Sequence, residues 1–141
     1  MIGVGGIQED GSRWQDSASF GSNYGVGLDL VAPAKDILVT DRVGAAGLDP
    51  SDYFTISGTS FATPMAAGVA ALVLAARPSL DAEDVEHILR SSAVDLGAAG
   101  KDIEFGYGLV NSASALQMAA NYIFWDGFEP GSSARWSSHL P

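Results

Sequence analysis

The chain has 141 residues, of which nearly half are apolar, and this is enough to bury the core of one domain. Its formal net charge of −10 is repelled by phosphate backbones and anionic lipid, which argues against nucleic-acid binding and against a role at a membrane surface. The absence of cysteine excludes disulfides and thiolate metal sites.

The first residues predict a short buried strand, because Ile2, Val4 and Ile7 alternate with glycines. This stretch has neither the basic segment nor the sustained apolar run of a signal peptide, so none is expected in this chain. Three further apolar runs, each bounded by glycine, proline or polar residues, predict strands at 28–31, 37–39 and 53–57.

Residues 56–76, ISGTSFATPMAAGVAALVLAA, are the most informative part of the sequence. Gly58 lets the backbone turn sharply after a strand, and an almost wholly apolar helix is predicted from Ser60 to Ala76, packed by neighbours on all sides. Its longest apolar run, 64–76, is too short to cross a bilayer of roughly 30 Å, so no membrane insertion is expected.

Ser60 lies in the first turn of this helix, where free N–H groups and the positive end of the helix dipole would stabilise a developing oxyanion. The pattern therefore predicts that Ser60 is a nucleophile. A serine at a helix start is also common for structural reasons alone, and that alternative remains open.

Two more helices follow, each with a cap signal. Asp81 is predicted to cap the first of them, with Asp84 three residues later, and Asn111 is predicted to cap a last helix that ends near Ala120. The buried stripe of the first helix is predicted from the i, i+3, i+4 spacing of Val85, Ile88 and Leu89. A hydrophobic staple is predicted between Leu80 and Val85.

The segment Gly58-Thr59-Ser60-Phe61-Ala62-Thr63-Pro64 resembles the nucleophile motif Gly-Thr-Ser-x-Ala-x-Pro of the subtilisin-like serine proteases, the subtilases. Segments on either side of it, in the family's order, resemble further subtilase motifs; they are 20–25, 29–33, 78–80 and 106–111. The resemblance covers roughly residues 2–118. It implies an α/β fold with a mostly parallel sheet and a buried central helix that starts at the nucleophile, of which residues 1–120 would form the C-terminal portion.

The resemblance also implies an activity, which is hydrolysis of peptide bonds through an acyl-enzyme. Ser60 would attack the scissile carbonyl, the N–H of Ser60 would donate to the oxyanion, and Thr59 would support that hole from behind. Polypeptide substrates, secretion and calcium, which several subtilases bind, are implied by the family alone.

The chain departs from the family in lacking the triad Asp and His, which precede the part that matches Met1. Its histidines are His87, predicted on the exposed side of a helix, and His139, near the C-terminus. A serine without a general base loses roughly 10²–10⁴-fold in rate. The chain alone is therefore predicted to be inactive, with the missing N-terminal part of the catalytic domain as its partner.

Two alternatives remain open, namely a non-catalytic binding or inhibitory module with a subtilase-like remnant fold, and an α/β protein in which Ser60 only caps a helix.

No metal ligand is assigned, because EF-hand spacing is absent and scattered acids are usually solvated. Those acids are Asp10, Asp16, Asp29, Asp36, Asp41 and Asp49.

Residues 121–141 are predicted to be a tail. It is similar to the short DGFExG…WS endings of some exported bacterial proteins, and the alternative is a simple terminal appendage.

Overall fold

The computed structural model describes residues 1–122, which form six short strands and three α-helices. In chain order the strands are β1 (Val4–Ile7), β2 (Gln15–Ser17), β3 (Phe20–Gly21), β4 (Leu30–Pro33), β5 (Ile37–Thr40) and β6 (Tyr53–Ile56). The helices are α1 (Thr59–Ala76), α2 (Ala82–Ser91) and α3 (Ser112–Asn121). Residues 123–141, which include His139 and nearly all of the predicted tail, lie outside the described residues.

The parallel part of the sheet is formed by β1 and β4, which pair from Val4 with Leu30 to Ile7 with Pro33. Leu109 extends it on the other side of β4 through a parallel bridge to Val31. The remaining pairs, β2 with β3 and β5 with β6, are antiparallel. The resemblance implies a mostly parallel sheet. Within residues 1–122, the antiparallel pairs are those whose strands follow each other directly in the chain and pair as hairpins.

The hairpin loop between β5 and β6, residues 41–52, is organised by carboxylates. Asp41 accepts hydrogen bonds from the backbone N–H groups of Arg42, Leu48 and Asp49, and Asp52 accepts one from Gly44. The N–H groups of Arg42 and Asp49 hold the pKa of Asp41 below its ordinary value. Asp41 therefore lies at the surface and also organises its own loop.

Helix α1 is covered on one side. Its buried stripe packs towards β1, β4 and α3 and consists of Ala62, Ala66, Val69 and Val73. On the other side Met65, Leu72 and Leu74 are exposed by 37%, 49% and 41%. The sequence predicts a helix surrounded by neighbours, whereas residues 1–122 cover only one side of it. By length and hydropathy alone this helix would pass as a membrane span, although the buried stripe makes it part of the domain core.

Both predicted caps are confirmed. The Asp81 carboxylate accepts from the N–H groups of Glu83 and Asp84 at 2.9 Å, and the Asp84 side chain accepts from the Asp81 N–H at 3.2 Å, which completes a capping box. The Asn111 side chain accepts from the N–H of Ser114 at 3.1 Å at the start of α3. These bonds satisfy amides that have no acceptor inside their helices.

The substitution Asp81→Ala should lower the free energy of unfolding by about 1 kcal/mol, because it leaves two first-turn amides of α2 without their acceptor. Urea unfolding followed by circular dichroism measures this. Asp16→Ala removes the same charge from an exposed position and should change the stability by less than about 0.5 kcal/mol. Equal effects of the two substitutions would show that charge, and not capping, is responsible.

The main core joins the buried face of α1 to α2 and α3. It contains Leu30, Val69, Val73, Leu80, Val85, Ile88, Leu89, Ala115, Ala119 and Tyr122. The predicted stripe of α2 and both members of the predicted staple, Leu80 and Val85, are among them. Tyr122 extends the packed domain slightly beyond the predicted boundary, since its hydroxyl donates to Asp84 at 3.0 Å and its carbonyl accepts from Arg77.

Candidate active site

Ser60 is the second residue of α1, and it is exposed. It follows β6 and a turn at Gly58, which has φ 156° and ψ 150°, a conformation that glycine adopts far more readily than other residues. The Gly58 N–H donates to the carbonyl of Ala34 at 2.7 Å, and the Phe61 N–H donates to the carbonyl of Gly58 at 3.0 Å. The turn that presents Ser60 is thus held to the segment that follows β4.

The first turn of α1 carries no side-chain cap. The N–H groups of Thr59 and Ser60 have no acceptor within the helix, and they point along the positive end of its dipole. Pro64 has no N–H to donate to the carbonyl of Ser60, four residues earlier. This end of α1 therefore offers an exposed hydroxyl beside unpaired amides, the arrangement that suits a negatively charged oxygen.

Thr59 lies behind Ser60 and is half-buried. Its methyl group is close to β1, since a Cβ added to Gly6 would lie 3.4 Å from Thr59 Cγ2. Its carbonyl accepts a hydrogen bond from the Thr63 hydroxyl at 3.0 Å. Thr59 therefore fixes the first turn of α1 against the parallel strands.

A second contact, between Asp36 and Ser57, also steadies the turn. The Asp36 N–H donates to the Ser57 hydroxyl at 2.9 Å, and Asp36 has φ 54°, in the left-handed region that non-glycine residues rarely adopt. Together with the Ala34–Gly58 bond, this contact clamps residues 57–58 just before Ser60. No sequence motif marks the pair, because the contact depends on how the hairpin folds back.

His87, which the sequence predicts on the exposed side of α2, is partly exposed there. Its ring lies 6.2 Å from that of Tyr122, its Nε2 is 3.4 Å from Ser91 Oγ, and burial lowers its pKa. Tyr122 is bonded to Arg77, just beyond the C-terminal end of α1, whereas Ser60 is at the other end, about 25 Å away along the helix. Within residues 1–122, no hydrogen bond reaches Ser60 Oγ.

Asp29, predicted to be a solvated acid, is instead 5% exposed. It accepts from the Gly3 N–H at 2.8 Å and from Arg90 at 2.8 Å, and Lys101 is 3.5 Å away. Arg90 and Lys101 also lie over the ring of Tyr107, at 5.5 and 5.0 Å from its centroid. Asp29 is therefore the buried anion of a structural ion-pair network.

Calcium does not fit the side chains of the described residues. Across residues 1–122, no three acidic or histidine side chains come together as a candidate metal site. The carboxylates of Asp29, Asp41 and Asp102 are engaged by backbone N–H groups, and Asp29 also has cationic partners. No chemical step is therefore assigned to calcium.

Comparison with known proteins identifies the family. The sequence profile described as "Subtilase family" matches residues 1–108. The chain is 37% identical to Subtilisin Savinase of Lederbergia lenta over 116 residues, which is 82% of this chain and 38% of that protein. It is 39% identical to the halolysin-like extracellular serine protease Nep of Natrialba magadii over 95 residues, 67% of this chain and 16% of that protein.

Solved structures agree with this. A lanthipeptide protease matches with a TM-score of 0.66 at 33% identity, over 83% of this chain and 40% of that one. The serine protease of Aeromonas sobria matches with a TM-score of 0.72 over 87% of this chain and 30% of that one; at 22% identity this likeness concerns the fold alone. The chain spans well under half the length of these relatives. With its α/β fold and the match over residues 1–108, the chain belongs to the subtilase family of serine proteases.

Proposed function

We propose that this chain is the nucleophile-bearing C-terminal portion of a subtilisin-like serine endopeptidase domain, with Ser60 as the nucleophile. The observation that carries the proposal is the exposed Ser60 hydroxyl at the uncapped N-terminus of α1. A tetrahedral intermediate formed there would place its oxyanion beside the free N–H of Ser60, and Thr59 would hold that turn from behind. By analogy with the extracellular relative Nep, the proposed site of action is outside the cell.

The chemistry needs a group that the described residues do not place at Ser60. When Ser60 Oγ attacks the carbonyl carbon of a peptide bond, its proton must pass to a general base, which later returns it to the leaving amine. His87 is far from Ser60 and is engaged with Ser91 and Tyr122. The chain alone is therefore proposed to be inactive, with the base supplied by the preceding part of a subtilase domain.

A fluorophosphonate probe tests the inactivity of the isolated chain. Labelling of Ser60 should be at least about 100-fold slower than labelling of Subtilisin Savinase under the same conditions, because general-base assistance is absent. Intact-mass spectrometry measures the labelled fraction, and Ser60→Ala provides the background. Rapid, stoichiometric labelling of the isolated chain at Ser60 would contradict the proposal.

A chimera tests the nucleophile itself. The part of Subtilisin Savinase that precedes the matched region is joined to this chain, and the probe should then label Ser60. Ser60→Ala should abolish the labelling, whereas Ser79→Ala, in the exposed connection after α1, should not. A chimera that unfolds cooperatively yet is not labelled at Ser60 would favour the other candidate, a non-catalytic binding or inhibitory module. The lack of a base near Ser60 among residues 1–122 also favours that candidate.

A further inference from the structure

The carboxyl ends of β1 and β4 border an open crevice with a volume of about 750 Å³. Three apolar residues form its floor: Ile7 and Pro33, which end these two strands, and Leu109, which lies beside β4. In α/β sheets, ligands typically bind in the crevice outside the carboxyl ends of parallel strands. The position of this crevice therefore favours a binding site.

The crevice lies on the face of the sheet that points away from α1. Leu30 and Ala32 of β4 pack with residues of α1. Because successive side chains of a strand point to opposite faces, Pro33 lies on the other face, where Ile7 and Leu109 belong to a separate core cluster. The crevice is therefore distinct from the exposed side of α1.

The rim of the crevice carries charged side chains. They are the carboxylates of Glu9, Asp10 and Asp36 and the ammonium of Lys35, which together give a net charge of −2. All four residues are exposed, and within residues 1–122 none of them forms an ion pair. The rim therefore attracts a cation, while the floor suits an aliphatic chain.

A lysine or arginine side chain combines these two properties, since an apolar stem carries its charged head. The formal charge of the whole chain, −10, also attracts basic polypeptides and repels acidic ones. A bare metal ion fits less well, because it makes no use of an apolar floor and no candidate metal cluster occurs among residues 1–122. The chemistry of the crevice therefore selects a basic side chain.

The crevice is close enough to Ser60 for one polypeptide to reach both. The Asp36 N–H donates to the Ser57 hydroxyl at 2.9 Å, and Ser57 is three residues before Ser60. Even a fully extended backbone would place Asp36 within about 18 Å of Ser60. An extended polypeptide, which rises about 3.3 Å per residue, covers this distance in about five residues.

We propose that this crevice is a subsite for a lysine or arginine side chain of the polypeptide substrate, within about five residues of the bond that Ser60 attacks. The inference rests on the proposed function, since it names the substrate class of the same site. The stem of the basic side chain lies on the apolar floor, and the rim carboxylates hold its charge. Lys35 opposes the ligand and limits its affinity.

Peptide binding to the 141-residue chain tests the subsite without catalysis. Three otherwise neutral octapeptides carry lysine, norleucine or glutamate at the same position, and ¹⁵N–¹H NMR titrations give the Kd and the amides that shift. The lysine peptide should shift the amides of Glu9, Asp10 and Asp36. It should bind about 10-fold more tightly than the norleucine peptide, because each exposed charge pair contributes roughly 0.2–1 kcal/mol. Tighter binding of the glutamate peptide would overturn the proposal.

Two substitutions in the rim should have opposite effects on the Kd of the lysine peptide. Asp36→Asn should weaken binding about threefold, and asparagine tolerates the φ of 54° at this position. Lys35→Met should strengthen binding about threefold, because it removes a like charge. Asp16→Asn, an exposed position outside the crevice, makes the same charge change as Asp36→Asn and should leave the Kd unchanged. Equal weakening by the two asparagine variants would show general attraction to an acidic protein and refute the subsite.

The chimera connects the subsite to the substrate. Asp36→Asn should raise KM about threefold for a lysine-containing peptide and leave kcat unchanged, with no effect on the norleucine peptide. A labelled, active chimera without this lysine preference would contradict the subsite. A chimera that is not labelled at Ser60 would refute the proposed nucleophile, whereas binding of the lysine peptide to the chain alone would still stand.

The competing occupant is Arg135, the one basic residue in 123–141 apart from His139. If Arg135 fills the crevice, truncation after Tyr122 shifts the amides of Glu9 and Asp36 in the absence of peptide. That result would overturn the assignment of the crevice to a substrate. Unchanged amide shifts after truncation are expected.

Discussion

Gly108→Ala is expected to lower the free energy of unfolding by at least about 3 kcal/mol, enough to unfold a large share of the molecules of a marginal domain. Gly108 has φ 116°, and a Cβ there would lie 2.1 Å from the carbonyl oxygen of Val94. The backbone fixes the position of this Cβ, and the oxygen is a backbone atom, so no side-chain rotation relieves the clash. Urea unfolding followed by circular dichroism measures the loss.

The effect should be large because Gly108 holds the sheet together as well. Its carbonyl accepts from the Val31 N–H at 2.9 Å, and the next residue, Leu109, bridges both Val31 and Val94. A shift of Gly108 away from Val94 therefore disturbs the strand partner of β4. Gly27→Ala is the control, since a Cβ at Gly27 meets nothing, and its effect should stay within about 0.5 kcal/mol. A Gly108→Ala protein as stable as the Gly27→Ala protein would refute the packing at this position.

Asp29→Ala should destabilise the fold by about 3 kcal/mol, because it removes the buried anion on which Arg90 and Lys101 converge. Asp29 is bonded to Arg90 and to the N–H of Gly3, and Lys101 is close by. Arg90 also pairs with Glu86 and is partly exposed, so water and Glu86 recover part of the loss. Asp16→Ala, at an exposed position, removes the same charge and should be nearly neutral.

Asp29 should also make stability depend on pH in the acid range. Burial raises the pKa of its carboxyl, but the Gly3 N–H, the Arg90 guanidinium and the Lys101 ammonium outweigh it, so the pKa lies below its ordinary value. The unfolded chain therefore binds a proton at higher pH than the folded chain does. The contribution of Asp29 is complete above the unfolded pKa of about 4 and is lost as the pH falls through the folded pKa.

The measurement is the free energy of unfolding from pH 6 to pH 2 for the unsubstituted chain and for Asp29→Asn. The substituted protein should be less stable at pH 6, and the difference should shrink as the pH falls below about 4. A difference that stays constant over this range would show that the Asp29 carboxylate is not held in its charged form by its neighbours.

Local signals in the sequence were sufficient for the helices and for the turn at Ser60. Asp81 and Asn111 cap α2 and α3 as predicted, and the helix after Gly58 begins within one residue of its predicted start. Each of these features depends on residues within about four positions of one another. The resemblance of residues 58–64 to the subtilase motif was equally local, and the family match confirms the assignment.

The positions of charged side chains and the cover of α1 were not available from such signals. Asp29 is buried because it meets Arg90 and Lys101, 61 and 72 residues further along the chain. Likewise, the apolar composition of α1 predicts burial on all sides, but only the packing of β1, β4 and α3 shows which side residues 1–122 cover.

The sequence by itself determined the family, the helix boundaries and the residue that is proposed to attack the substrate, since these are written in short motifs and caps. The tertiary structure alone decided that Asp29 is a buried anion, that His87 is too far along the fold to assist Ser60, and that one side of α1, with Met65, Leu72 and Leu74, has no cover among residues 1–122. The physical reason is that burial and charge pairing depend on contacts between segments that are distant in the chain, and no local pattern specifies them.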